Sequence, residues 1–213
     1  RGLFGGTAER LVVPSSRAFP IDRALGANGI LFALAATARH ALADGDPPEL
    51  IVGHGVLGRL LARLTIAAGA PPPIVWDNKE CRRQGAHGYQ VIAPKDDPGG
   101  KYRTIYDASG YSDGIDTLIG KLARGGEIVL AGFYANRLSF GFAAAFQAEM
   151  RMRVAAEWAP EDLAATRALV DGGALDLAGL LTDIRPASEA EKAYPAALLD
   201  PECLKMALDW RPA

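Results

Sequence analysis

The chain has 213 residues, enough for one large domain or for one domain and part of another. Hydrophobic residues make up 49% of it, which can supply a buried core, and the net charge is −2 with no block of like charge. This balance argues against nucleic-acid partners and a polybasic membrane patch. Cys81 and Cys203 make no disulfide framework and fit a reducing, cytoplasmic compartment. No apolar stretch is long enough for a transmembrane segment, and no Cys/His spacing is typical of a metal site.

The segment before residue 25 is rich in glycine and loop-like. It begins RGLFGGTAERLVVP, with neither an initiator methionine nor a signal-peptide pattern. From this beginning we expect an N-terminally truncated protein or a fragment. Residues 8–14, AERLVVP, are predicted to form a short strand.

Helices and strands alternate between residues 28 and 158. The short apolar strands are of the kind that is buried on both faces of a parallel sheet. Their alternation with helices predicts βαβ units and an α/β fold with a doubly wound parallel sheet. We predict strands at 50–52, 73–77, 89–94, 102–110, 126–133 and 151–158, and helices at 28–43, 56–68, 81–86 and 114–125.

The pattern of predicted helices and strands changes from residue 158 onward. A helix is predicted over 160–175, beginning at Pro160 and followed by acidic residues that suit a helix start. Residues 180–198 are predicted as strand, turn and helix, and 203–210 as a last strand. We expect this region to form a different layer from the sheet before it.

The predicted strand 50–52 and the helix after it are joined by three glycines in the spacing G-x-G-x-x-G. Gly53 would permit a tight turn, Gly55 would let a pyrophosphate approach the backbone, and Gly58 would let the helix pack close to the strand. Free N–H groups at the helix start favour a phosphate. The position between strand and helix therefore predicts a dinucleotide-binding loop.

Asp77 ends the next predicted strand, 19 residues after Gly58. A carboxylate there can accept hydrogen bonds from both ribose hydroxyls of an adenosine and would repel a 2′-phosphate, which favours NAD over NADP. The nearby Lys79, Arg82 and Arg83 weaken this preference, unless they belong to a solvated helix start. A methyltransferase that binds S-adenosylmethionine is an alternative, but the glycine spacing and the small residues of DASG and AGF favour a dinucleotide.

The order of motifs resembles the medium-chain dehydrogenase/reductase superfamily over essentially the whole chain. The motifs are GGTAERLVVP, LAATARHAL, VGHGVLG, YDASG, LARGGEIVLAGF and KAYPAALLDPECLKMAL. Within the superfamily, VVPSSRAFPIDRALG, GHGVLGRLLARL, GGEIVLAGFY and RVAAEW are most similar to the dehydrogenases of bacteriochlorophyll synthesis. This resemblance implies NAD-dependent oxidation of the 3-(1-hydroxyethyl) group of a bacteriochlorophyllide precursor, a tetrapyrrole, to 3-acetyl. It also implies a possible homodimer.

The resemblance further implies a domain division and a set of coenzyme contacts. Residues 1–24 would end a GroES-like catalytic domain, 25–157 would form the Rossmann dinucleotide-binding domain, and 158–213 would return to the catalytic domain. Ser109 and Gly110 would line the adenosine side of NAD, and Leu57 would pack behind the nicotinamide. The full set of implied cofactor-binding residues is Thr37, Gly53, Gly55, Val56, Leu57, Gly58, Asp77, Asn78, Ser109, Gly110, Gly132, Phe133 and Lys205.

Two positions bear on the chemistry. Zinc-dependent members of the superfamily have a cysteine near the position of Ala33, so no catalytic zinc is predicted. His54, inside the glycine loop, is the candidate catalytic base, because an imidazole with an ordinary pKa near ~6.5 could accept the alcohol proton. The alternative is a histidine that only shapes the turn. Three other functions stay open. The first is a zinc-free quinone or enal reductase that prefers NADPH, which Asp77 argues against. The others are another alcohol dehydrogenase of the same superfamily and a non-catalytic nucleotide-binding fragment.

Overall fold

The computed structural model describes residues 6–211. Strands and helices alternate along the chain, and most helices are short. The strands are β1 (Leu50–Val52), β2 (Ile74–Trp76), β3 (Gln90–Ile92), β4 (Tyr102–Asp107), β5 (Leu122–Leu130), β6 (Arg151–Val154), β7 (Asp183–Pro186) and β8 (Met206–Asp209). The α-helices are α1 (Phe32–Ala43), α2 (Val56–Ala67), α3 (Ile115–Lys121), α4 (Phe142–Gln147), α5 (Pro160–Asp171) and α6 (Ala190–Leu199).

Six strands form one parallel sheet in the order β3-β2-β1-β4-β5-β6. The order reverses between β1 and β4, and in such sheets ligands bind at this point, outside the carboxyl ends of the strands. The predicted α/β fold with a doubly wound parallel sheet is confirmed. The glycine loop leaves β1 at this reversal.

Side chains of the sheet alternate between two hydrophobic clusters, one on each face. Ile51 and Tyr106 belong to the cluster under α1, α2 and α5, whereas Leu50 and Ile105 belong to the cluster under α3 and α4. All four are fully buried. Burial on both faces explains why these strands are continuous apolar runs instead of alternating polar and apolar residues.

The region after residue 157 does not form one separate layer. Leu163 of α5 and Leu175, Leu177 and Leu180 beyond it are buried in the same cluster as α1 and α2. Residues on both sides of position 157 therefore share one hydrophobic cluster, and the domain division expected there stays a prediction. The following residues form a small parallel sheet of β7 and β8, joined by α6.

A buried carboxylate fixes α5 to α1. Asp162, which is 2% exposed, accepts hydrogen bonds from Arg39 at 2.5 Å and from His40 Nδ1 at 2.7 Å. It also accepts the N–H of Ala159 at 2.9 Å, which closes the first turn of α5. The contacts with Arg39 and His40 join residues that lie more than a hundred positions apart in the sequence and give His40 a packing role.

Two local predictions are wrong. Residues 8–14 form no strand: they are exposed to solvent, with Val12 fully so, and pair with no strand of the part of the chain that the structure describes. The helix predicted over 114–125 ends at Lys121, because Leu122 already pairs with Tyr102 in the sheet and Gly125 has a φ of +73°. β5 accordingly begins at Leu122 instead of residue 126. Residues 1–5 and 212–213 of the expected catalytic-domain segments lie outside the described residues.

The sequence predicts no transmembrane segment, and the lengths of the helices can be compared with this prediction. Within residues 6–211, no helix has the length and apolar character needed to cross a bilayer.

Candidate functional site

The glycine loop has the close backbone contacts that its spacing predicts. Gly53 has a φ of +95°, and its N–H donates to the carbonyl of Trp76 at 2.8 Å. A Cβ on Gly58 would lie 1.8 Å from the carbonyl oxygen of Gly53, so α2 can start against β1 at this distance because residue 58 has no side chain. Gly55 is the N-cap of α2 and has no side-chain capping bond, which leaves the first N–H groups of the helix available to a ligand.

A second close approach joins the loops after β4 and β5. A Cβ on Gly110 would lie 2.5 Å from the carbonyl oxygen of Phe133, and one on Gly132 would lie 2.8 Å from the nitrogen of Gly110. Gly110 also has a φ of +68°. Both positions therefore require glycine, and the two loops meet at the same edge of the sheet as the glycine loop.

A cavity of about 330 Å³ opens where β1, β2 and β4 end. It is lined by five of the residues expected to bind the coenzyme: Gly53, Gly55, Asp77, Asn78 and Ser109. The rest of its lining is Val52, Trp76, Lys79, Arg82, Pro94, Ala108 and Tyr111. The structure thus brings the glycine loop, the acid after β2 and the serine after β4 around one space.

The carboxylate of Asp77 is held by two backbone amides. Its Oδ2 accepts the N–H of His54 and its Oδ1 the N–H of Lys79, each at 2.8 Å. Asp77 is half-buried, and each carboxylate oxygen keeps a free lone pair for a ribose hydroxyl. The acid therefore fixes the glycine loop and remains able to accept hydrogen bonds from a ligand.

His54 is fully buried, away from the cavity that its loop lines. Its Nδ1–H donates to the carbonyl of Arg82 at 2.6 Å, and its Nε2 accepts from the Tyr89 hydroxyl at 2.7 Å. Burial lowers the pKa of His54 to about 4, and the positive charge of Arg59 acts in the same direction although the Arg82 carbonyl opposes it. Because neither nitrogen is free and the ring is neutral, the geometry does not support the catalytic base expected here. His54 fixes the turn instead.

Two arginines beside the glycine loop, Arg59 and Arg82, were not predicted to act together. Arg59, 5% exposed in α2, donates to the carbonyls of His54, Arg82, Gln84 and Gly85 at 2.8 to 3.1 Å. An arginine inside the apolar run VLGRLLARL is the signal that could have revealed it, since a buried guanidinium needs several acceptors. Arg82 belongs to the cavity itself and is half-buried.

Asp107 was also missed. It ends β4 with 1% exposure, and its Oδ1 accepts the N–H of Ser109 at 2.8 Å and the Ser109 hydroxyl at 2.6 Å. Burial raises the pKa of the Asp107 carboxyl, while the bonds from Ser109 oppose this. The carboxyl shapes the turn that carries Gly110 against the loop after β5.

The remaining expected coenzyme residues lie outside the lining of this cavity. Val56 and Leu57 pack against the cluster beneath α2. Thr37 is half-buried in α1, with its hydroxyl donating to Ala33 at 2.9 Å. Lys205 is half-buried just before β8, and Phe133 is 91% exposed. Their contacts with a nicotinamide or a pyrophosphate stay predictions.

The expectation that no catalytic zinc is bound also stays a prediction. Across residues 6–211, no three His, Cys, Asp or Glu side chains are grouped so that they could hold a metal ion. Ala33, at the position where zinc-dependent relatives were expected to carry a cysteine, is exposed on α1.

Similar proteins were found by sequence and by structure, although no family model matches the chain. The chain is 59% identical over 215 residues to a 2-desacetyl-2-hydroxyethyl bacteriochlorophyllide A dehydrogenase of Rhodobacter capsulatus, with 100% of the chain and 68% of that protein covered. It is 62% identical over 213 residues to a protein of the same name from Cereibacter sphaeroides, with 99% of the chain and 67% of that protein covered.

Solved structures support the fold. A short chain alcohol dehydrogenase (rspB) from E. coli CFT073, complexed with NADH, superimposes with a TM-score of 0.81 at 19% identity over 93% of this chain and 64% of that one. A zinc-binding dehydrogenase from Sinorhizobium meliloti 1021, described as putative and bound to NADP, gives a TM-score of 0.76 at 21% identity over 95% of this chain and 64% of that one. At these identities the likeness shows the fold, whereas the two sequence relatives show the family. The chain belongs to the 2-desacetyl-2-hydroxyethyl bacteriochlorophyllide A dehydrogenases, within the medium-chain dehydrogenase superfamily.

Proposed function

We propose that the chain forms the coenzyme-binding part of an NAD-dependent dehydrogenase that oxidises the hydroxyethyl group of a bacteriochlorophyllide to an acetyl group. The observation that carries this proposal is the identity of 59% and 62% with two such dehydrogenases over essentially the whole chain. The chain spans about two thirds of their length, so the complete substrate cleft belongs to the proposal as well. The glycine loop, Asp77 and Ser109 around one cavity support the coenzyme site.

Within this site, we assign the adenosine half of NAD to the cavity. The carboxylate of Asp77 would accept the ribose hydroxyls, and the open N–H groups at the start of α2 would receive the pyrophosphate. NAD, when bound, supplies the hydride acceptor for the carbinol carbon of the substrate. Thr37, Gly132 and Phe133 would border its nicotinamide, and Lys205 its pyrophosphate.

The preference for NAD over NADP is a separate part of the proposal, since one solved neighbour holds NADH and another NADP. Asp77 supports NAD because its charge would repel a 2′-phosphate. Lys79 and Arg82 line the same cavity, and their positive charges favour NADPH. NADPH is the coenzyme of the alternative function, a zinc-free quinone or enal reductase. Asp77 supports NAD further because it lines this cavity and backbone amides hold both of its carboxylate oxygens in place.

Calorimetric titration of the chain with NAD and NADP tests the coenzyme, and turnover tests the substrate. We expect tighter binding of NAD, and NADH formation when hydroxyethyl bacteriochlorophyllide is added to a protein that includes the remaining third of the relatives' length. A preference for NADP would contradict the role given to Asp77. Binding of neither coenzyme would contradict the dehydrogenase function of this chain.

Three further expectations are kept as proposals. We propose a cytoplasmic location. We propose that residues 1–24 and 158–213 belong to a catalytic domain, as the division at residues 24 and 157 implies. We also propose a homodimer through β6, which pairs with β5 on one side, and whose Val154 is 71% exposed. Sedimentation of the chain and of Val154→Glu tests the dimer: the variant should be monomeric, and an unmodified chain that is monomeric at micromolar concentration would contradict the dimer.

A further inference from the structure

The helix α4 buries a small side chain and exposes its large ones. Ala145 is buried in the cluster beneath α3 and α4, whereas Phe142 and Phe146 are 74% and 69% exposed. These two rings are four residues apart on the same side of the helix, and their centroids are 5.8 Å apart. Phe140, 40% exposed, precedes them. A surface helix normally buries its large apolar side chains, so this phenylalanine face, formed by Phe140, Phe142 and Phe146, lacks a cover within residues 6–211.

The phenylalanine face borders a cavity of about 630 Å³ and is held in place at both ends of α4. The N–H of Gly141 donates to Oδ1 of Asp116 at 2.8 Å just before the helix. The N–H of Gly125 donates to the carbonyl of Ala148 at 2.7 Å just after it. The face is therefore formed before a partner binds. Besides the three phenylalanines, the cavity is lined by Arg124, Ala145, Gln147, Glu149 and Met150.

The phenylalanine face continues into the outer edge of the sheet. β6 begins at Arg151, shortly after α4 ends, and is the last strand of the sheet, paired only with β5 among the strands that the structure describes. Its other edge therefore presents unpaired N–H and C=O groups, and Val154 at its end is exposed. The helix joins β6 at its amino end, whereas the coenzyme cavity opens where β1, β2 and β4 end.

The charges beside the phenylalanine face suit a second copy of the chain. The cavity lining carries one charge of each sign, Arg124 and Glu149, which pair at 2.6 Å. A surface that is apolar at its centre and carries both signs beside it is complementary to itself, whereas an anionic membrane or a nucleic acid attracts an excess of positive charge. A free strand edge can also pair with its own copy in the antiparallel direction.

The exposed area indicates that the phenylalanine face and the edge of β6 act together. At the exposed fractions given above, the three rings offer roughly 300–450 Å² to a partner, since a buried aromatic side chain covers about 150–250 Å². A stable dimer takes about 800 Å² from each copy. The rings therefore supply up to about half of that area, and the strand edge beside them can supply the remainder.

We propose that the phenylalanine face is the hydrophobic core of a contact between two copies of this chain, related by a two-fold axis perpendicular to the sheet beside β6. Such an axis leaves both α4 helices on the same face of the joined sheet, one on either side of the axis. Phenylalanines of each copy then pack against those of the other. The inference rests on the homodimer of the proposed function and names the side chains that stabilise it.

Sedimentation equilibrium of the 213-residue chain and its variants tests this inference. We expect the double change Phe142→Ser and Phe146→Ser to raise the dissociation constant of the dimer by about 100-fold or more, because each lost ring is lost twice across a two-fold axis. The circular dichroism spectrum and the affinity for NAD should stay the same, since both rings are exposed in the single chain.

The matched control removes two exposed apolar side chains from another helix. Leu198→Ser with Leu199→Ser, at positions of α6 that are 80% and 79% exposed, should change the dissociation constant by less than about threefold. If the phenylalanine variant does not fold, Phe146→Lys replaces it. Its side chain can remain in solvent in the single chain but brings like charges together in the dimer, which should likewise dissociate.

Each other outcome has a defined meaning. A monomeric unmodified chain would overturn the proposed homodimer together with this inference. A dimer that Val154→Glu dissociates and the phenylalanine variant leaves unchanged would overturn the inference alone, as would equal weakening by both double variants. The same holds if a protein that includes the remaining third of the relatives' length forms a dimer insensitive to the phenylalanine variant, since that third then covers the face. Vesicles of anionic phospholipid that bind the unmodified chain but not the phenylalanine variant, with dimerisation unchanged, would assign the face to a membrane surface instead.

Discussion

The loop after β1 and the loop after β5 lie at the same edge of the sheet but are stabilised differently. Around the first, His54 and Arg59 are buried, and their side chains hydrogen-bond to backbone carbonyls and to the Tyr89 hydroxyl. The second meets its neighbour through the glycines 110 and 132 and presents Phe133 with 91% exposure. The loop after β1, on the proposed adenosine side, is therefore held by buried side chains, whereas the loop after β5, on the proposed nicotinamide side, is shaped mainly by backbone contacts.

The largest expected effect is at Gly58. We expect Gly58→Ala to destabilise the chain by about 3 kcal/mol or more, because the added methyl group would overlap the carbonyl of Gly53 and force α2 away from β1. NAD binding should be lost with it. Chemical denaturation and calorimetry measure the two effects.

Its control is Gly120→Ala in α3, where an added methyl group meets no atom within 4 Å. That change should be neutral or should stabilise by about 0.5–1 kcal/mol, since alanine is the better helix former. Equal destabilisation by both substitutions would contradict the account of Gly58.

The burial of His54 predicts a pH dependence of stability. Its pKa in the folded chain is about 4, below its unfolded value, so the unfolded state binds more protons between pH 4 and about 6.5. The free energy of unfolding contributed by a neutral His54 is complete above this range. It should fall by about 3 kcal/mol as the pH decreases through it. Urea denaturation between pH 4.5 and about 7.5 measures the slope.

Variants isolate this contribution from that of the carboxylates. His54→Asn, which can still donate to the Arg82 carbonyl, should be less stable at neutral pH but should show a shallower slope. His87→Ala, at an exposed position, should keep the slope of the unmodified chain. A His54→Asn slope equal to that of the unmodified chain would show that another group titrates.

A smaller effect is expected at Asp77. Asp77→Asn keeps one acceptor oxygen where the acid offers two, so either the amide of His54 or that of Lys79 loses its partner, and a ribose hydroxyl loses an acceptor. We expect NAD affinity to fall about tenfold while NADP affinity stays the same or rises. Titration with both coenzymes measures the ratio, and equal losses would mean that Asp77 acts only through the loop.

The sequence predicts the sheet and five of the twelve residues that line the cavity, because both depend on local patterns. A buried parallel strand is an apolar run whichever helix covers it, and a turn that requires φ above zero requires glycine. The predicted strand 8–14 also contains an apolar run, Leu11–Val13, yet pairing decides whether a strand forms, and no described strand pairs with it. The local sequence pattern does not show whether a pairing strand is present.

Long-range contacts explain what the sequence did not predict at the site. A histidine next to two glycines is equally compatible with an exposed base and with a buried ring. The carbonyl of Arg82 that accepts from the His54 ring and the Tyr89 hydroxyl that donates to it lie 28 and 35 residues further along the chain. These contacts favour the buried ring over the exposed base. Arg82 itself was noticed as one of three basic residues, and its contacts with residues 201 and 203 distinguish it from Lys79 and Arg83.

The smallest expected effect is at Phe133, on the nicotinamide side. Because its side chain is almost fully exposed, Phe133→Ala should change the free energy of unfolding by no more than about 0.5 kcal/mol. If Phe133 borders the nicotinamide, the same change should weaken NAD by a few fold while the affinity for ADP, which lacks that ring, stays constant. Paired titrations with NAD and ADP therefore separate the two halves of the coenzyme. Equal weakening of both ligands would mean that the loop after β5 also shapes the adenosine half, through the contact of Gly110 with the Phe133 carbonyl, and that the two halves are not independent.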